Sequence, residues 1–499
     1  MNDERLNDAQ SRPEVDENEV RKVRIAKLAE LTEKGENPFE LTSYDRTATA
    51  GEVLNNYSEF EGKTVRIAGR MVSKRVMGKA SFGHILDSDG KIQGYFSRDD
   101  MGVEEYHAFK KWDVGDIIGM EGVVFTTMKG EISIHVKKAT LLSKSLLALP
   151  EKYHGLKDTE LRYRKRYVDM IANPEVKEVF IKRSQIISTI REVLDKKGFI
   201  EVETPILNTL AGGANARPFV THHNTLDIDM FMRIATELHL KRCIVGGFDK
   251  VYEIGRQFRN EGMDPKHNPE FTTIELYQAY ADYKDMMNIA EELFEAAALK
   301  VCGTLQIEYQ GQPLNLKTPW ERLTMVEAVK KYTGLDFEGE PLAELINKAN
   351  DLGLELPDDT SWGNALYKVF DCFVESKLIG PVFITDYPVE VSPLAKRKPS
   401  DPRLTERFEF FICASEGGNA FSELNDPLDQ RSRFEQQMLA KAKGDEEAQP
   451  YDEDFCTALE YGMPPTGGIG IGIDRMVMFL TNSASIRDVL LFPTMRPLK

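Results

Sequence analysis

Apolar and polar residues alternate with a period of two over residues 251–280, VYEIGRQFRNEGMDPKHNPEFTTIELYQAY, which predicts a long β-hairpin. Alternation sends Glu253, Gln257 and Arg259 to one face of the outgoing strand, and Phe271, Thr273, Glu275 and Tyr277 to one face of the returning strand. Charge of this density makes poor core, so the face is either a binding surface or the solvated side of an antiparallel sheet. The tip, residues 260–268, gathers Glu261, Lys266 and His267 around a Gly and a Pro, a loop expected to order around a charged ligand.

The same period recurs in TVRIAGRMVSKR, ASFGHILDSDGKIQGYFSR, DIIGMEGVVFTT and EISIHVKKATLL, separated by Gly and Asp-Gly turns and a helical piece at 103–111. About five strands in this length predict an OB-type barrel, a fold that binds single-stranded nucleic acid on aromatics in a basic groove. Phe82, between Ser81 and Gly83, suits either a stacking platform or a core position. Upstream, residues 1–20 read as a polar, acidic, disordered tail. Val20, Val23, Ala26/Lys27 and Leu31 predict a basic amphipathic helix over 19–34, ended by Gly35 and Pro38.

Downstream, Pro150 stops the barrel, and LRYRKRYVDM predicts a basic helix, solvated or close to nucleic acid. Helical spacing of Val179, Ile186, Ile190, Val193 and Leu194 predicts a helix over 175–197, closed by Gly198 and followed by the strand GFIEVETP. A Gly-rich loop, AGGANARPF, precedes a strand and a helix capped by Thr236, with Glu237 in its first turn. A helix over 285–299, a QGQ hairpin, a helical insertion over 320–377 and a bend at Pro388 and Pro393 come next. RFEFFICASEGGNAFSELNDP predicts a second hairpin, bent at Gly417-Gly418, with Asn419, Phe421 and Glu423 on one face. Glu409 and Glu416 lie on its opposite arms, where two carboxylates could share a divalent ion. In GGIGIGIDRMVMFL, Gly468, Gly470 and Gly472 alternate with isoleucines, so one strand face is bare backbone. Asp474 is expected to cap the next helix, whose first turn presents Arg475. These glycines lie within a strand and open no GxGxxG turn, which argues against a Rossmann site.

Composition adds a class. The 499 residues, 41% hydrophobic and 29% charged, fit a soluble globular chain of two to four domains. No apolar run reaches the roughly 20 residues needed to span a bilayer, and MNDERLNDAQ is no signal peptide, so a cytoplasmic protein without membrane contact is expected. Cys243, Cys302, Cys372, Cys413 and Cys456 are widely spaced with no CxxC, which predicts buried free thiols. A net charge of −17 opposes indiscriminate nucleic-acid binding. Residues 63–98 nonetheless carry eight Lys or Arg against Asp87 and Asp89, a local +6 that can direct a polyanion to the barrel.

FRNEG followed by HNPEFT resembles motif 2 of the class II aminoacyl-tRNA synthetases, and the whole stretch is similar to that of the bacterial-type lysyl enzymes. The 175–205 helix and strand resemble motif 1, a dimer interface in that family, and the glycine strand with Arg475 resembles motif 3. The resemblance runs from about residue 60 onward. It implies an α+β protein: an N-terminal tail and helix (1–60), an anticodon-binding OB-fold (61–145), a linker (146–173) and a class II catalytic domain with a mainly antiparallel sheet flanked by helices (174–499). It further implies a homodimer that uses ATP, Mg²⁺ and L-lysine to charge tRNA(Lys) through a lysyl-adenylate, releasing AMP and pyrophosphate.

By the same resemblance, Arg259 and Arg475 are catalytic, and Arg259, Glu261, His267, Asn268, Phe271, Glu409 and Arg475 bind ATP. Gly213, Glu237, Glu275, Tyr277, Asn419 and Glu423 bind lysine, Glu409 and Glu416 hold metal, and Arg70, Phe82, Gln93 and Glu131 read the anticodon. The acidic pocket suits a cationic substrate and disfavours a sister enzyme for aspartate or asparagine. The barrel disfavours a paralogue that modifies proteins, and the retained arginines and carboxylates disfavour a binding module with a dead site. Cys413-Ala414-Ser415 and Gly417-Gly418 depart from the family pattern.

Overall fold

The computed structural model describes residues 17–150, 156–442 and 450–498, so most of the acidic tail lies outside the described residues. The chain forms two compact units, Met1–Lys157 and Asp158–Lys499, and the division falls inside the stretch expected to be linker.

In the first unit, helix α1 (Glu17–Glu33) precedes strands β1 (Thr64–Met77), β2 (Ala80–Leu86) and β3 (Lys91–Ser97), helix α2 (Val103–Lys111), and strands β4 (Ile117–Thr126) and β5 (Ile132–Ser143). The strands close into a five-stranded barrel in the order β1-β2-β3-β5-β4. Alternate residues such as Ile67, Met71, Ile85, Ile92, Phe96, Ile118, Met120 and Ile134 fill its interior. Phe109 of α2 stacks on Phe96 with ring centroids 4.0 Å apart. Helix α1 departs from the amphipathic reading, for Val23 is 54% exposed and Arg24 is buried. Its guanidinium donates to the carbonyls of Val114, Ser145 and Leu147 at 2.8–3.0 Å, and Lys27 pairs with Asp113 at 2.7 Å. Loop carbonyls need donors, and the helix supplies them from its basic face.

The second unit opens with two short helices, Thr159–Arg164 and Arg166–Ala172. They are not a free basic face, as expected from LRYRKRYVDM. Arg166 is fully buried, pairs with Asp169 at 2.9 Å and donates to the carbonyls of Arg487, Leu490 and Leu491, while Arg162 also holds Asp169. A buried guanidinium with its donors occupied is structural.

Helix α3 (Pro174–Lys196), strand β6 (Ile200–Glu201), helix α4 (Glu237–Val245), strands β7 (Lys250–Phe258) and β8 (Glu270–Ala279) and helix α5 (Tyr283–Cys302) come next. Strands β9 (Glu321–Thr324), β10 (Val382–Thr385), β11 (Arg407–Phe411), β12 (Glu416–Ser422) and β13 (Thr466–Gly472) and helix α6 (Ile473–Thr481) complete the frame. Eight strands form one sheet in the order β9-β10-β11-β12-β13-β8-β7-β6, parallel at its two ends and antiparallel elsewhere. Ile469 and Ile471 of β13 join Ile186 and Ile190 of α3 and Leu293 and Phe294 of α5 in the main core. The helical insertion, with helices at Met325–Thr333, Leu342–Asp351 and Trp362–Phe373, has a core of its own.

Four local expectations are corrected. The second hairpin does not bend at Gly417-Gly418. It reverses at residues 412–415, where Ile412 and Ser415 exchange backbone hydrogen bonds of 3.0 and 3.1 Å and Cys413 and Ala414 take left-handed φ of 49° and 54°. Gly417 and Gly418 lie within β12, where a Cβ would enter the ring of Phe410. Asp474 is no cap: it is buried, accepts from the Thr272 backbone at 2.8 Å and pairs with Arg183 at 2.5 Å, tying α6 to β8 and α3. Thr236 makes no side-chain cap bond, and its backbone N–H points instead to Glu275. All five cysteines are free, but only Cys456 is buried: Cys243, Cys302 and Cys413 are half-buried and Cys372 is exposed. Gly417→Ala should lower the urea midpoint of the second unit's unfolding by the equivalent of about 1–3 kcal/mol, because the methyl group meets a packed ring.

Candidate active site

The central strand β13 is the floor of the site because its upper face has no side chains. Register places Gly470 between Glu275 of β8 and Asn419 of β12, and Gly468 between Tyr277 and Phe421. One row across the sheet therefore runs Glu253, Glu275, Gly470, Asn419, Glu409, and the next runs Val251, Tyr277, Gly468, Phe421, Arg407. A bare lane flanked by loaded strands admits a ligand close to the backbone.

One end of the lane is acidic. Glu423 is fully buried and Glu237 and Glu275 nearly so. Burial, with Glu237 adding repulsion, pushes Glu275 up to about 7. Burial likewise pushes Glu423 up to about 8, although Lys241 pulls it down. The Tyr277 hydroxyl, buried among these carboxylates, is raised well above its ordinary value and reaches Glu275 at 3.5 Å. Glu275 accepts from the Thr236 N–H at 3.1 Å. Gly213, at φ 90°, lays the preceding loop so close that a Cβ would stand 3.2 Å from Ala235 and 3.3 Å from Glu237. Glu253, on the same hairpin face, is neutralised by the buried Arg233 and by Thr204, so it serves the scaffold.

The other end is mixed. The Arg259 guanidinium lies 5.1 Å from the centre of the Phe271 ring, with its buried Nε lacking a partner. Asn268 is buried and donates to the Glu270 carbonyl at 2.7 Å, and Glu261 is exposed at the tip. His267 meets Arg475 at 3.3 Å, and Arg475 donates to the Glu416 carbonyl at 2.5 Å. The tip is also tied down: the Pro265 carbonyl accepts from the Ile486 N–H at 2.7 Å, and Lys266 donates to the Ala414 carbonyl at 2.9 Å. Glu409 accepts from Tyr387 at 2.9 Å and from Arg407 at 2.6 Å. Burial pushes Glu409 up to about 7, Arg407 opposes this, and Glu416 adds to it. Among the described residues no group of three or more His, Cys, Asp or Glu could cage a metal. Two carboxylates with no nitrogen or sulfur ligand fit a hard cation that takes its remaining oxygens from phosphate and water.

In the first unit, Phe82, Gln93 and Glu131 come together on the outer face of the barrel. Gln93 donates to Glu131 at 2.8 Å, His84 contacts the other oxygen of Glu131 at 2.9 Å, and Phe82 lies 5.2 Å from Tyr95. Phe82 is half-buried and outward, not core. Arg70 uses its guanidinium on the Gly115 carbonyl at 2.7 Å.

Residue patterns missed three participants. Lys241 and Arg407 are buried beside the carboxylates, and Tyr387 holds Glu409. Lys241 sits four positions after Glu237, a helical ion-pair spacing that could have indicated it. Arg407 shares the alternation of Glu409.

Residues 158–496 match the family model described as tRNA synthetases class II (D, K and N), and residues 65–142 match that of an OB-fold nucleic acid binding domain. The chain is 58% identical to the lysine--tRNA ligase of Carboxydothermus hydrogenoformans over 96% of its own length and 98% of that protein. It is 58% identical to that of Pelotomaculum thermopropionicum over 97% and 96%, and 55% identical to that of Clostridium novyi over 98% and 97%.

Glu275 and Glu423 stand above their ordinary value of 4.5, so the fold holds protons that the unfolded chain would release. Their contribution to stability is full below about pH 4.5 and is lost as pH rises through about 7 and 8. In the ligand-free protein, Glu275→Gln should therefore flatten the fall in Tm of the second unit between about pH 4.5 and about pH 7, measured by calorimetry.

Proposed function

Because the chain belongs to the class II aminoacyl-tRNA synthetases, within their lysine--tRNA ligase family, we propose that its acidic lane binds L-lysine and its Arg259–Phe271–Arg475 end binds ATP. Family membership makes the chain an enzyme that joins lysine to its tRNA. The observation that carries the residue assignment is the buried set of Glu237, Glu275, Glu423 and Tyr277 along the bare face of β13. Carboxylates so desolvated bind a cation far better than they bind a neutral side chain, and a substrate carboxylate there would be repelled.

In this reading Glu423 and Tyr277 hold the ε-ammonium, and Glu237 and Glu275 hold the α-ammonium beside Gly213. Asn419, fixed by Arg407 through its Oδ1 at 3.1 Å, lies between them and the reacting carboxylate. Adenine stacks on Phe271, with Asn268 and Glu261 at its edge, while Arg259, His267 and Arg475 face the phosphates. The lysine carboxylate, ionised at neutral pH, attacks the α-phosphorus in line. Pyrophosphate leaves, forming lysyl-adenylate. A nucleophile already charged needs no general base, so rate comes from positioning and from arginine charge at the phosphates. Glu409 and Glu416 would hold Mg²⁺, which neutralises phosphate charge when bound. The 3′-hydroxyl of tRNA(Lys) then attacks the adenylate carbonyl, releasing AMP.

Anticodon reading is assigned to Phe82, Gln93 and Glu131, an aromatic face next to polar edges, as single-stranded RNA loops require. Arg70 is assigned to backbone contact beside them. A homodimer through the motif 1 region is supported by the exposed Ile200, Ile206, Leu207 and Val220. No helix among the described residues is long and apolar enough to cross a membrane.

ATP–pyrophosphate exchange scanned across the twenty amino acids should respond to lysine alone, and a response to aspartate or asparagine would refute the pocket assignment. Glu423→Gln should raise KM for lysine by about 30-fold or more, in keeping with about 2–5 kcal/mol for a broken buried charge contact. Phe82→Ala should lower charging of tRNA(Lys) by about 5- to 150-fold, from about 1–3 kcal/mol of lost stacking, while exchange stays at the wild-type rate.

A further inference from the structure

Lys241 is a full positive charge with no exposure to water, on α4 behind the acidic lane. Its ammonium is 2.6 Å from Glu237 Oε1, is in ion-pair contact with Glu423 Oε2, and stands 5.9 Å from the centre of the Phe455 ring. The surroundings on that side, Leu238, Leu240, Ile244, Phe434 and Phe455, are apolar. Both Glu423 oxygens are buried without a hydrogen-bond partner; beyond the ion pair at Oε2, Oε1 lies against the bare Cα of Gly468 beside the Tyr277 ring. Glu423 thus turns one oxygen to a resident cation and presents the other to the lane.

We propose that Lys241 is a positioning and specificity-determining residue, a resident counter-ion that holds Glu423 and Glu237 as two separate receptors, each with one oxygen left for a substrate ammonium. This rests on the lysine-pocket reading above and extends it. Three carboxylates face this space, Glu237 from α4, Glu275 from β8 and Glu423 after β12, together with the Tyr277 hydroxyl. The only cations set against them among the described interactions are Lys241 and, toward Glu275, Arg259. Burial opposes a charge on Lys241, but Glu237 and Glu423 outweigh it and hold the ammonium protonated. Without that charge, Glu423 and Glu237 repel at close range, and the cheaper state is a protonated carboxyl that no longer attracts an ammonium. The substrate would then have to displace a proton before it bound. Lys241 bears on lysine affinity and its pH dependence, and has no bearing on the ATP end of the lane.

The test compares the full-length Lys241→Met, Lys241→Arg and Glu423→Gln enzymes in lysine-dependent pyrophosphate exchange from pH 6 to 9, with KM for ATP as control. Lys241→Met should raise KM for lysine about tenfold or more near pH 7.5 with KM for ATP within about twofold, and should move the midpoint of the KM profile up by about one pH unit or more. Lysine affinity in Lys241→Met should improve progressively toward pH 9 as its carboxylates ionise, whereas that of Glu423→Gln should not improve. Lys241→Arg, which keeps the charge, should keep the wild-type midpoint. A Lys241→Met profile equal to wild type, or one as flat as that of Glu423→Gln, overturns the proposal. A Lys241→Arg midpoint displaced upward overturns it too, and this arm decides alone if Lys241→Met does not fold. Unchanged lysine KM in Glu423→Gln would instead overturn the pocket reading itself.

Discussion

A carboxylate taken out of water must be answered by a nearby cation, by hydrogen-bond donors or by a proton, and the catalytic sheet is built around that requirement. Each buried acid in it has a specific answer. Glu253 has Arg233 and Thr204, Glu409 has Arg407 and Tyr387, and Asp474 has Arg183 and the Thr272 backbone. Glu275 and Glu423 are answered incompletely, and their raised proton affinities record the deficit. The deficit lies at the end of the lane proposed above for the two ammonium groups of lysine. Glu253 and Asp474, with their partners in place, hold the sheet together, while Glu275 and Glu423 face the bare lane.

Geometry makes that division possible. Neighbouring strands bring charged side chains to the same face, and without a gap between them these would collide or screen one another. Strand β13 is that gap. Its isoleucines fasten it to the core beneath, while Gly468 and Gly470 leave a lane between Tyr277 and Phe421 and between Glu275 and Asn419. A methyl group at Gly468 would meet both the Glu423 carboxylate and the Tyr277 ring. The glycines are thus required by close approach of neighbours and not by chain reversal, and the same holds for Gly417 and Gly418 over the Phe410 ring.

Alternation was enough to read the long hairpin, the barrel strands and the shared face of Glu275 and Tyr277, because a two-residue period is a local property of the chain. Motif resemblance supplied the mainly antiparallel sheet and the set of residues expected around one pocket, which no local period encodes. What remained hidden depended on partners far away in sequence. Arg24 and Arg166 read as solvated basic residues, yet both are buried as donors to loop carbonyls. Asp474 read as a cap because its position before a helical run fits one, but Thr272 and Arg183, both far off in the chain, claim it. The turn at Cys413-Ala414 was misplaced because Gly-Gly is the stronger turn signal, and here packing on Phe410 uses those glycines first.

That turn also makes a contact that does not depend on its side chains. Lys266 at the tip of the long hairpin grips residue 414 through its main-chain carbonyl, and the Pro265 carbonyl takes the N–H of Ile486. Both contacts read backbone atoms, which every residue type supplies. Side chains at 413–415 can therefore drift over evolutionary time without loosening the hairpin tip, so long as the left-handed pair of residues keeps its shape. Sequence variation in this loop is then a poor guide to change in the catalytic site, and a substitution that straightens the backbone would matter more than any that alters polarity.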